Sequence, residues 1–237
     1  MSAIGSPDFS ARSAELELMD SPNVEPKELR RTLEELSSIN RWLGGYGPSL
    51  DALVALLPED SRKFSLLDVG CGGGDTVRRI ADWAKARGKD AEIEGIDLSE
   101  TSVLYAQEKS RAHPRLRFLV KNLDDVRGDG RYDIVHAALL LHHFPGQTAV
   151  EALGRMHALC RYGVIINDLD RHPAAYWSIR LITRALSRNR LIRNDAPLSV
   201  LRAFKRSCLK DMARQAGLPA PDIRWRWPFR WQMIIRK

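Results

Sequence analysis

A glycine-rich turn between an apolar segment and an amphipathic segment most constrains how this chain can fold. The stretch FSLLDVGCGGGDTVRRIADWA runs from Phe64 to Ala84, and its apolar start, up to Val69, is interrupted by a single acid, Asp68. A helical pattern begins near Asp75. Glycines between two such segments allow a sharp turn and let a ligand approach the backbone closely. The stretch therefore predicts a strand, a ligand-binding turn and a helix whose N-terminal N–H groups face the ligand.

The spacing of the glycines separates two classes of ligand. A dinucleotide-binding turn reads Gly-x-Gly-x-x-Gly or Ala, and the last of those positions is Asp75 here. Gly70, Gly72 and Gly74 instead form Gly-x-Gly-x-Gly, and Asp68 precedes them. An acid would repel a phosphate, but it suits a cationic sulfonium or ammonium group. A glycine-rich loop without any ligand is the alternative interpretation.

These residues resemble motif I of the class I S-adenosylmethionine-dependent methyltransferases, in which the turn lies beneath the amino-acid end of the cofactor. The resemblance extends from Phe64 to the C-terminus. It implies an α/β fold: a single Rossmann-like, seven-stranded, mainly parallel sheet with helices on both faces and an antiparallel last strand. S-adenosylmethionine is then the expected cofactor and S-adenosylhomocysteine the product. The residues expected around the cofactor are Asp68, Gly70, Cys71, Gly72, Gly74, Asp97, Leu98, Asn122, Leu123 and Ala138.

The expected ribose contact is Asp97, at the end of the second predicted strand, AEIEGID. Two carboxylate oxygens match a cis diol, and acids at this place bind ribose hydroxyls in nucleoside-binding α/β folds. The resemblance places Leu98 against the adenine. Many family members have an acid in the place of Asn122, whose amide oxygen can still accept a hydrogen bond. A strand-end acid can also cap a helix or form a loop salt bridge, and this alternative stays open for Asp97.

The candidate catalytic residues are His142 and His143, which follow the fourth predicted strand in DIVHAALLLHHFP. This segment resembles the corresponding part of small-molecule methyltransferases and lacks the Asn/Asp-Pro-Pro-Tyr signature of enzymes that methylate exocyclic amines of adenine. Imidazole can accept a proton near neutral pH, which suits deprotonation of a hydroxyl nucleophile. Loop histidines that merely hydrogen-bond the backbone are the competing interpretation. Asn167 and Asp168, at the end of the fifth predicted strand, either orient the substrate or cap the next helix.

Composition favours a cytoplasmic protein that works without a metal. The 237 residues suit one domain, and Cys71, Cys160 and Cys208 lack the spacing of a zinc site or a disulfide framework. No apolar run approaches the roughly 18 residues that span a bilayer, and the first 20 residues do not read as a secretory signal. The formal charge of +7 would attract nucleic acid, an anionic membrane or an acidic substrate. Because no nucleic-acid-binding domain is evident, a nucleic-acid partner is not expected.

The chain outside the predicted sheet includes an N-terminal arm, a helical cap and a lid insertion. Residues 1–25 read as a flexible N-terminal arm, and residues 26–237 as the methyltransferase domain. Within that domain, residues 26–60 form a helical cap or flap that carries Trp42 and Tyr46, whose rings either close over the ligand or simply pack the helices onto the sheet.

Residues 173–203 are predicted to form a lid insertion. One helical stripe on it is basic and the other is apolar: Arg180, Arg184 and Arg188 against Ile179, Ile182 and Leu186. The apolar stripe either packs on the domain, covers a hydrophobic substrate, or makes a peripheral contact with a membrane surface.

The C-terminal sequence DIRWRWPFRWQMIIRK predicts a two-stranded hairpin with one packed face. Its alternating residues are Ile223, Trp225 and Trp227, followed by Trp231, Met233 and Ile235. Burial of these rings is expected, and it argues against a nucleic-acid-binding platform, which needs exposed rings.

The sequence therefore predicts a methyltransferase that transfers a methyl group to an oxygen or carbon of a small, hydrophobic, aromatic or polyketide-like metabolite. An RNA or protein methyltransferase is the first alternative, favoured by the basic charge. A nucleotide-binding or S-adenosylmethionine-binding module without catalytic activity is the second.

Overall fold

The computed structural model describes residues 7–21 and 23–237. Its helices are α1 (Pro26–Trp42), α2 (Gly47–Leu56), α3 (Asp75–Ala86), α4 (Glu100–Lys109), α5 (Gly146–Leu159), α6 (Pro173–Leu186), α7 (Arg190–Arg202) and α8 (Arg206–Gln215). Its strands are β1 (Lys63–Val69), β2 (Asp90–Asp97), β3 (Leu116–Val120), β4 (Tyr132–Ala138), β5 (Cys160–Leu169), β6 (Asp222–Arg226) and β7 (Arg230–Arg236).

The strands form one sheet in the order β3-β2-β1-β4-β5-β7-β6. Strand β1 pairs in parallel with β2 and β4, whereas β7 runs antiparallel to both β5 and β6. The predicted seven-stranded, mainly parallel α/β sheet with an antiparallel last strand is confirmed. The strand order reverses on either side of β1, and ligands of such sheets bind outside the carboxyl ends of the strands at this point. Gly70, Asp97 and Ala138 lie at those ends.

Strand β1 is held in place because its side chains enter two hydrophobic cores, one on each face of the sheet. Leu67 packs with Leu153 of α5 in the first core. Leu66 packs with Leu53 of α2 and Ile80 of α3 in the second. Full burial of a leucine side chain contributes roughly 1.5–3 kcal/mol. This two-sided burial fixes the strand end from which the glycine turn starts.

Residues 9–21, termed here the N-terminal strap, lie against the domain. Arg12 donates to the backbone carbonyls of His142 and Phe144, at 2.8 and 3.0 Å. The backbone N–H of Ser13 donates to the carbonyl of Leu201, and the Glu17 side chain is buried. The strap belongs to the predicted arm of residues 1–25, and its polar groups bond to distant parts of the chain. The flexibility of the arm stays a prediction. Residues 1–6 and 22 of that prediction lie outside the described residues.

Helices α1 and α2 occupy the predicted cap segment and meet at the turn around Gly45. Tyr46 is buried, and its hydroxyl donates to Asp75 Oδ2 at 2.8 Å, whereas Trp42 is exposed. One ring therefore packs and the other faces solvent. Movement of these helices as a flap stays a prediction.

The predicted lid segment consists of α6 and α7, which pack on each other. On α6, Tyr176 and Thr183 are buried, whereas Leu181 and Leu186 are exposed. Leu186 belongs to the predicted apolar stripe, so that stripe is only partly covered by the domain. Movement of these helices as a lid also stays a prediction. Within residues 7–21 and 23–237, no helix is both long enough and apolar enough to cross a bilayer.

The C-terminal hairpin forms as predicted, with β7 inserted between β5 and β6, but its tryptophans are only partly buried. Trp231 is buried, whereas Trp225 is 46% and Trp227 74% exposed. The expected burial of Trp225 and Trp227 is wrong because β6 is an edge strand and Trp227 belongs to the turn after it. Trp225, Trp227 and Phe229 instead pack edge-on or tilted against each other at the surface.

Candidate functional site

The glycine turn after β1 has a backbone that side chains would disturb. Gly70 adopts a left-handed conformation with φ +66°. A Cβ atom there would lie 2.5 Å from Leu140 Cδ1, so the position requires glycine on two counts. Gly72 also has positive φ, but a Cβ there would meet no atom closer than Leu33 Cδ2, at 3.9 Å. Gly74 immediately precedes α3. The turn thus leaves open space above Gly72, where the resemblance places the cofactor.

Asp97 lies beside this turn and is held by two backbone N–H groups. Its Oδ2 accepts from Gly72 at 2.8 Å, and its Oδ1 accepts from Ser99 at 2.9 Å. Burial raises the pKa of Asp97 even though both hydrogen bonds favour its charged form. Each carboxylate oxygen has a second lone pair, so a cis diol can still bind to the pair. The next residue, Leu98, is 71% exposed and offers an apolar surface beside the carboxylate.

The remaining expected cofactor residues surround the same strand ends. Asn122 caps a short turn by accepting from the N–H of Asp124, and Leu123 is buried behind it. Ala138 ends β4 in a half-buried position. Cys71 is buried in the turn, and burial raises the pKa of its thiol, which fits a small packing residue.

Asp68 lies at the end of β1, and its predicted place beside a cationic cofactor group stays a prediction. It is buried, and its Oδ1 lies 2.6 Å from His136 Nδ1. On the other side of the ring, Nε2 lies 2.8 Å from Ser49 Oγ. Asp68 therefore already has a buried imidazole partner, and it supports the sheet beneath the turn.

This pair belongs to a buried polar network that sequence reasoning missed. Asn167 Nδ2 donates to Ser49 Oγ at 2.9 Å. The guanidinium of Arg230 donates to Asn167 Oδ1 and Asn40 Oδ1, at 3.3 and 2.8 Å. Burial lowers the pKa of Arg230 to about 10. The network joins α1, α2, β4, β5 and β7 beneath the crevice. Sequence reasoning gave neither Arg230 nor Asn40 a role, because it assigned the first to the C-terminal hairpin and the second to the helical cap.

The backbone is strained where β4 enters the crevice. Leu139, a residue with a Cβ atom, has φ +53°, which costs of order 1–3 kcal/mol. The bend brings Leu140 against Gly70, so the loop after β4 packs directly on the glycine turn. The two predicted halves of the site are therefore in contact.

His142 follows this bend and is buried against a carboxylate. Its Nδ1 lies 2.7 Å from Asp168 Oδ1, and its backbone N–H donates to Asp168 Oδ2. Burial would raise the pKa of Asp168, but the charge and hydrogen bond of His142 hold it below its usual range. Asp168 thus orients His142, a role that differs from the two predicted for it. The cap of the next helix is His172, and contact of Asp168 with a substrate stays a prediction.

His143 packs beside His142, with ring centroids 4.4 Å apart. Its Nδ1 lies 2.8 Å from Asp20 Oδ2 of the strap. Burial alone would lower the pKa of His143, but the hydrogen bond to Asp20 and the charge of Glu17 together raise it. Glu17 lies close to both rings, and sequence reasoning missed it because the strap appeared to be a mobile arm.

The chain was compared with protein-family models, with curated proteins and with solved structures. Residues 66–163 match the family model of a methyltransferase domain. A mitochondrial ubiquinone biosynthesis O-methyltransferase of Saccharomyces cerevisiae is 33% identical over 34% of this chain and 25% of its own length. A tRNA N(3)-cytidine methyltransferase of Danio rerio is 25% identical over 83% of this chain and 57% of its own. The chain spans less than two thirds of the length of the first curated relatives it matches.

A solved structure shares the fold. The 1,6-didemethyltoxoflavin-N1-methyltransferase of Burkholderia thailandensis, determined with S-adenosylhomocysteine, superposes with a TM-score of 0.58 at 22% identity. The superposition covers 92% of each chain. The domain match, the sheet order and the glycine turn beside Asp97 agree with the resemblance inferred from the sequence. The chain therefore matches a methyltransferase domain over residues 66–163 and has the fold of the class I S-adenosylmethionine-dependent methyltransferases.

Proposed function

We propose that the chain transfers a methyl group from S-adenosylmethionine to an oxygen or carbon atom of a small, hydrophobic metabolite of aromatic or polyketide type. The observation that carries this proposal is that a candidate cofactor-binding acid and a candidate general base lie at the same edge of the sheet. Asp97 is held by the glycine turn, and the His142–Asp168 pair lies across the crevice on the loop after β4.

On the cofactor side, the residues of this chain fit a nucleoside with a methionine tail. Asp97 would accept from the ribose hydroxyls, Leu98 would pack on the adenine, and the open space over Gly72 would take the amino-acid end. S-adenosylmethionine supplies the methyl group when bound. The protein contributes mainly position, since holding donor and acceptor at contact distance can supply roughly 7–11 kcal/mol at its upper range.

On the acceptor side, His142 is oriented as a general base. Because its Nδ1 faces the Asp168 carboxylate, the neutral ring carries its proton there and presents the lone pair of Nε2. Arg12 and Arg202 hold the backbone carbonyl of His142, at 2.8 and 3.3 Å. A phenol or alcohol beside Nε2 can lose its proton to the ring as its oxygen accepts the methyl group. His143 is the second candidate for this role.

The surface of α6 supports a hydrophobic substrate. Trp177, Leu181 and Leu186 are exposed on this helix, and Arg184 is exposed beside them. Apolar residues flanked by arginines suit the boundary of an anionic membrane. We therefore include in the proposal a peripheral membrane contact through α6, from which a lipid-like substrate would be taken. Cosedimentation with anionic vesicles, lost in Leu181→Glu, tests this contact.

An RNA methyltransferase is the second candidate, and two observations favour it. Trp225 and Trp227 are exposed, with Arg224 and Arg226 between and beside them, and bases stack on such rings. One relative is named as a tRNA methyltransferase. Binding to tRNA that falls steeply with added salt would favour this candidate over the metabolite.

The decisive experiment is a transfer assay with radiolabelled S-adenosylmethionine. The acceptors are hydroxylated aromatic compounds with alkyl chains of increasing length, and bulk tRNA in a parallel arm. We expect label on an aromatic acceptor, with turnover that rises with chain length. Label on tRNA alone would replace the metabolite with RNA. Binding of the cofactor without label on either acceptor or on a cell extract would favour a module without catalytic activity.

A further inference from the structure

We propose that Glu17, His142 and His143 form a binding site for a divalent transition-metal ion. One ligand atom from each of these residues lies within 4.8 Å of the others. Nε2 of His142 is 3.6 Å from Glu17 Oε1, and Nε2 of His143 is 3.9 Å from Oε2. Donor atoms around one tetrahedral Zn²⁺ lie roughly 3.3 Å apart, because each bond is about 2.0–2.1 Å long. Small side-chain movements would therefore bring all three groups to bonding distance.

Both imidazoles are held in the orientation that a metal ligand needs. Nδ1 of His142 faces Asp168 at 2.7 Å, and Nδ1 of His143 faces Asp20 at 2.8 Å. A carboxylate can only accept, so each neutral ring carries its proton on Nδ1 and directs the lone pair of Nε2 towards Glu17. Within residues 7–21 and 23–237, neither Nε2 makes a hydrogen bond. Carboxylate partners of this kind orient the histidine ligands of known metal sites.

Charge and burial also favour a cation. Glu17 and His142 are buried, and three carboxylates, those of Glu17, Asp20 and Asp168, surround the two rings. Arg202 lies 3.8 Å from Glu17, but its hydrogen bonds go to backbone carbonyls. Glu17 Oε1 also accepts from Ser199 at 2.9 Å, which fixes the carboxylate and leaves further lone pairs.

Two imidazoles and one carboxylate suit Zn²⁺ or Co²⁺ better than Mg²⁺ or Ca²⁺, which prefer oxygen ligands alone. An ion here would join the N-terminal strap to the loop after β4. Because the ion would occupy the Nε2 lone pair of His142, proton acceptance by His142 belongs to the metal-free protein. The inference rests on the coordination geometry and does not depend on the proposed methyl transfer.

The test uses full-length protein freed of any affinity tag and of metal by dialysis against a chelator. Zn²⁺ binding is measured by titration calorimetry, and Co²⁺ binding by visible absorption. We expect one ion per chain, with affinity reduced at least about tenfold in Glu17→Gln and in His143→Ala. Asp20→Asn removes an orienting partner and should reduce affinity about 10–100-fold. His157→Ala is the control, because His157 hydrogen-bonds to the carbonyl of Arg236, and this variant should bind Zn²⁺ with unchanged affinity.

Limited proteolysis supplies a readout that needs no activity. Zn²⁺ should slow tryptic cleavage of the strap at Arg12 in the wild-type protein and not in Glu17→Gln. Circular dichroism identifies the variants that fold. One folded variant of a proposed metal ligand, either Glu17→Gln or His143→Ala, is enough to test the site. Absence of Co²⁺ absorption and of Zn²⁺ binding in the wild-type protein would overturn the proposal. Wild-type affinity in a folded Glu17→Gln or His143→Ala variant would overturn it equally.

Discussion

The cofactor half of the crevice, at the ends of β1 and β2, differs in construction from the acceptor half, at the ends of β4 and β5. In the cofactor half, backbone groups position the functional side chain, since the N–H groups of Gly72 and Ser99 donate hydrogen bonds to Asp97. In the acceptor half, charged side chains converge from separate segments, as Glu17, His142 and Asp168 do. A local backbone arrangement can be predicted from one stretch of sequence. A cluster of side chains from distant segments can be located only when the fold is known.

The comparison predicts that the acceptor half can be disabled without loss of cofactor binding. His142→Gln removes the imidazole and should reduce turnover about 10²–10⁴-fold, the range of general acid–base catalysis. The affinity for S-adenosylmethionine should stay within about twofold of wild type. Steady-state kinetics and calorimetry on the same preparation measure both quantities. Normal turnover would remove His142 from the chemistry.

The cofactor half should be most sensitive at the backbone of its turn. In Gly70→Ala, the Cβ atom would meet Leu140 at 2.5 Å in a left-handed conformation. The two effects together should lower the free energy of unfolding by about 2–5 kcal/mol and weaken cofactor binding. Gly88→Ala is the matched control, because Gly88 has φ +63° and no neighbour within 4 Å. Denaturant unfolding should show only about 1–2 kcal/mol of loss there. Equal losses in the two variants would mean that contact with Leu140 does not constrain the turn.

Removal of the predicted ribose contact should have a smaller effect on binding. Asp97→Ala should weaken S-adenosylmethionine binding by about 1.5–3 kcal/mol, because hydrogen bonds to a charged group are lost. Asp124→Ala, an exposed acid on the neighbouring loop, is the control and should bind normally. Unchanged affinity in Asp97→Ala would place the ribose elsewhere.

The raised pKa of Asp97 adds a dependence on pH. Because burial raises this pKa in the free protein, the carboxyl gains its proton at a higher pH than the usual value of about 3.9. The protonated form accepts hydrogen bonds less well, so affinity should fall as pH is lowered through the raised pKa. Calorimetry between neutral and mildly acidic pH should show this fall in the wild type. A fall of the same size in Asp97→Asn would assign the dependence to another group.

The exposed C-terminal rings should have the smallest effect on the metabolite reaction. Trp227→Ala removes a ring that is 74% exposed and should change the free energy of unfolding by no more than about 0.5 kcal/mol. Turnover with an aromatic acceptor should be unchanged. A selective loss of tRNA binding in this variant would sharpen the RNA alternative, as measured by a mobility assay at two salt concentrations.

Sequence reasoning recovers the fold and places Asp97 beside the glycine turn, because the strand, the turn and the strand-end acid follow local rules. The contacts of these residues with a cofactor stay a prediction. Sequence reasoning does not predict the partner of Asp68, because His136 comes from a strand far along the chain. It also misjudges Trp225 and Trp227, since alternation predicts which face a side chain joins but not how far the neighbouring helices cover that face. The roles of Glu17 and Arg230 cannot be predicted from the sequence, because they arise only when the strap and β7 pack beside the crevice.

The central claim is that the glycine turn and Asp97 together bind a sulfonium nucleoside. Titration calorimetry of the wild-type protein with S-adenosylmethionine, S-adenosylhomocysteine and NAD tests it most directly. We predict one-to-one binding of the first two ligands and none of NAD. Binding of NAD without binding of S-adenosylmethionine would contradict the account.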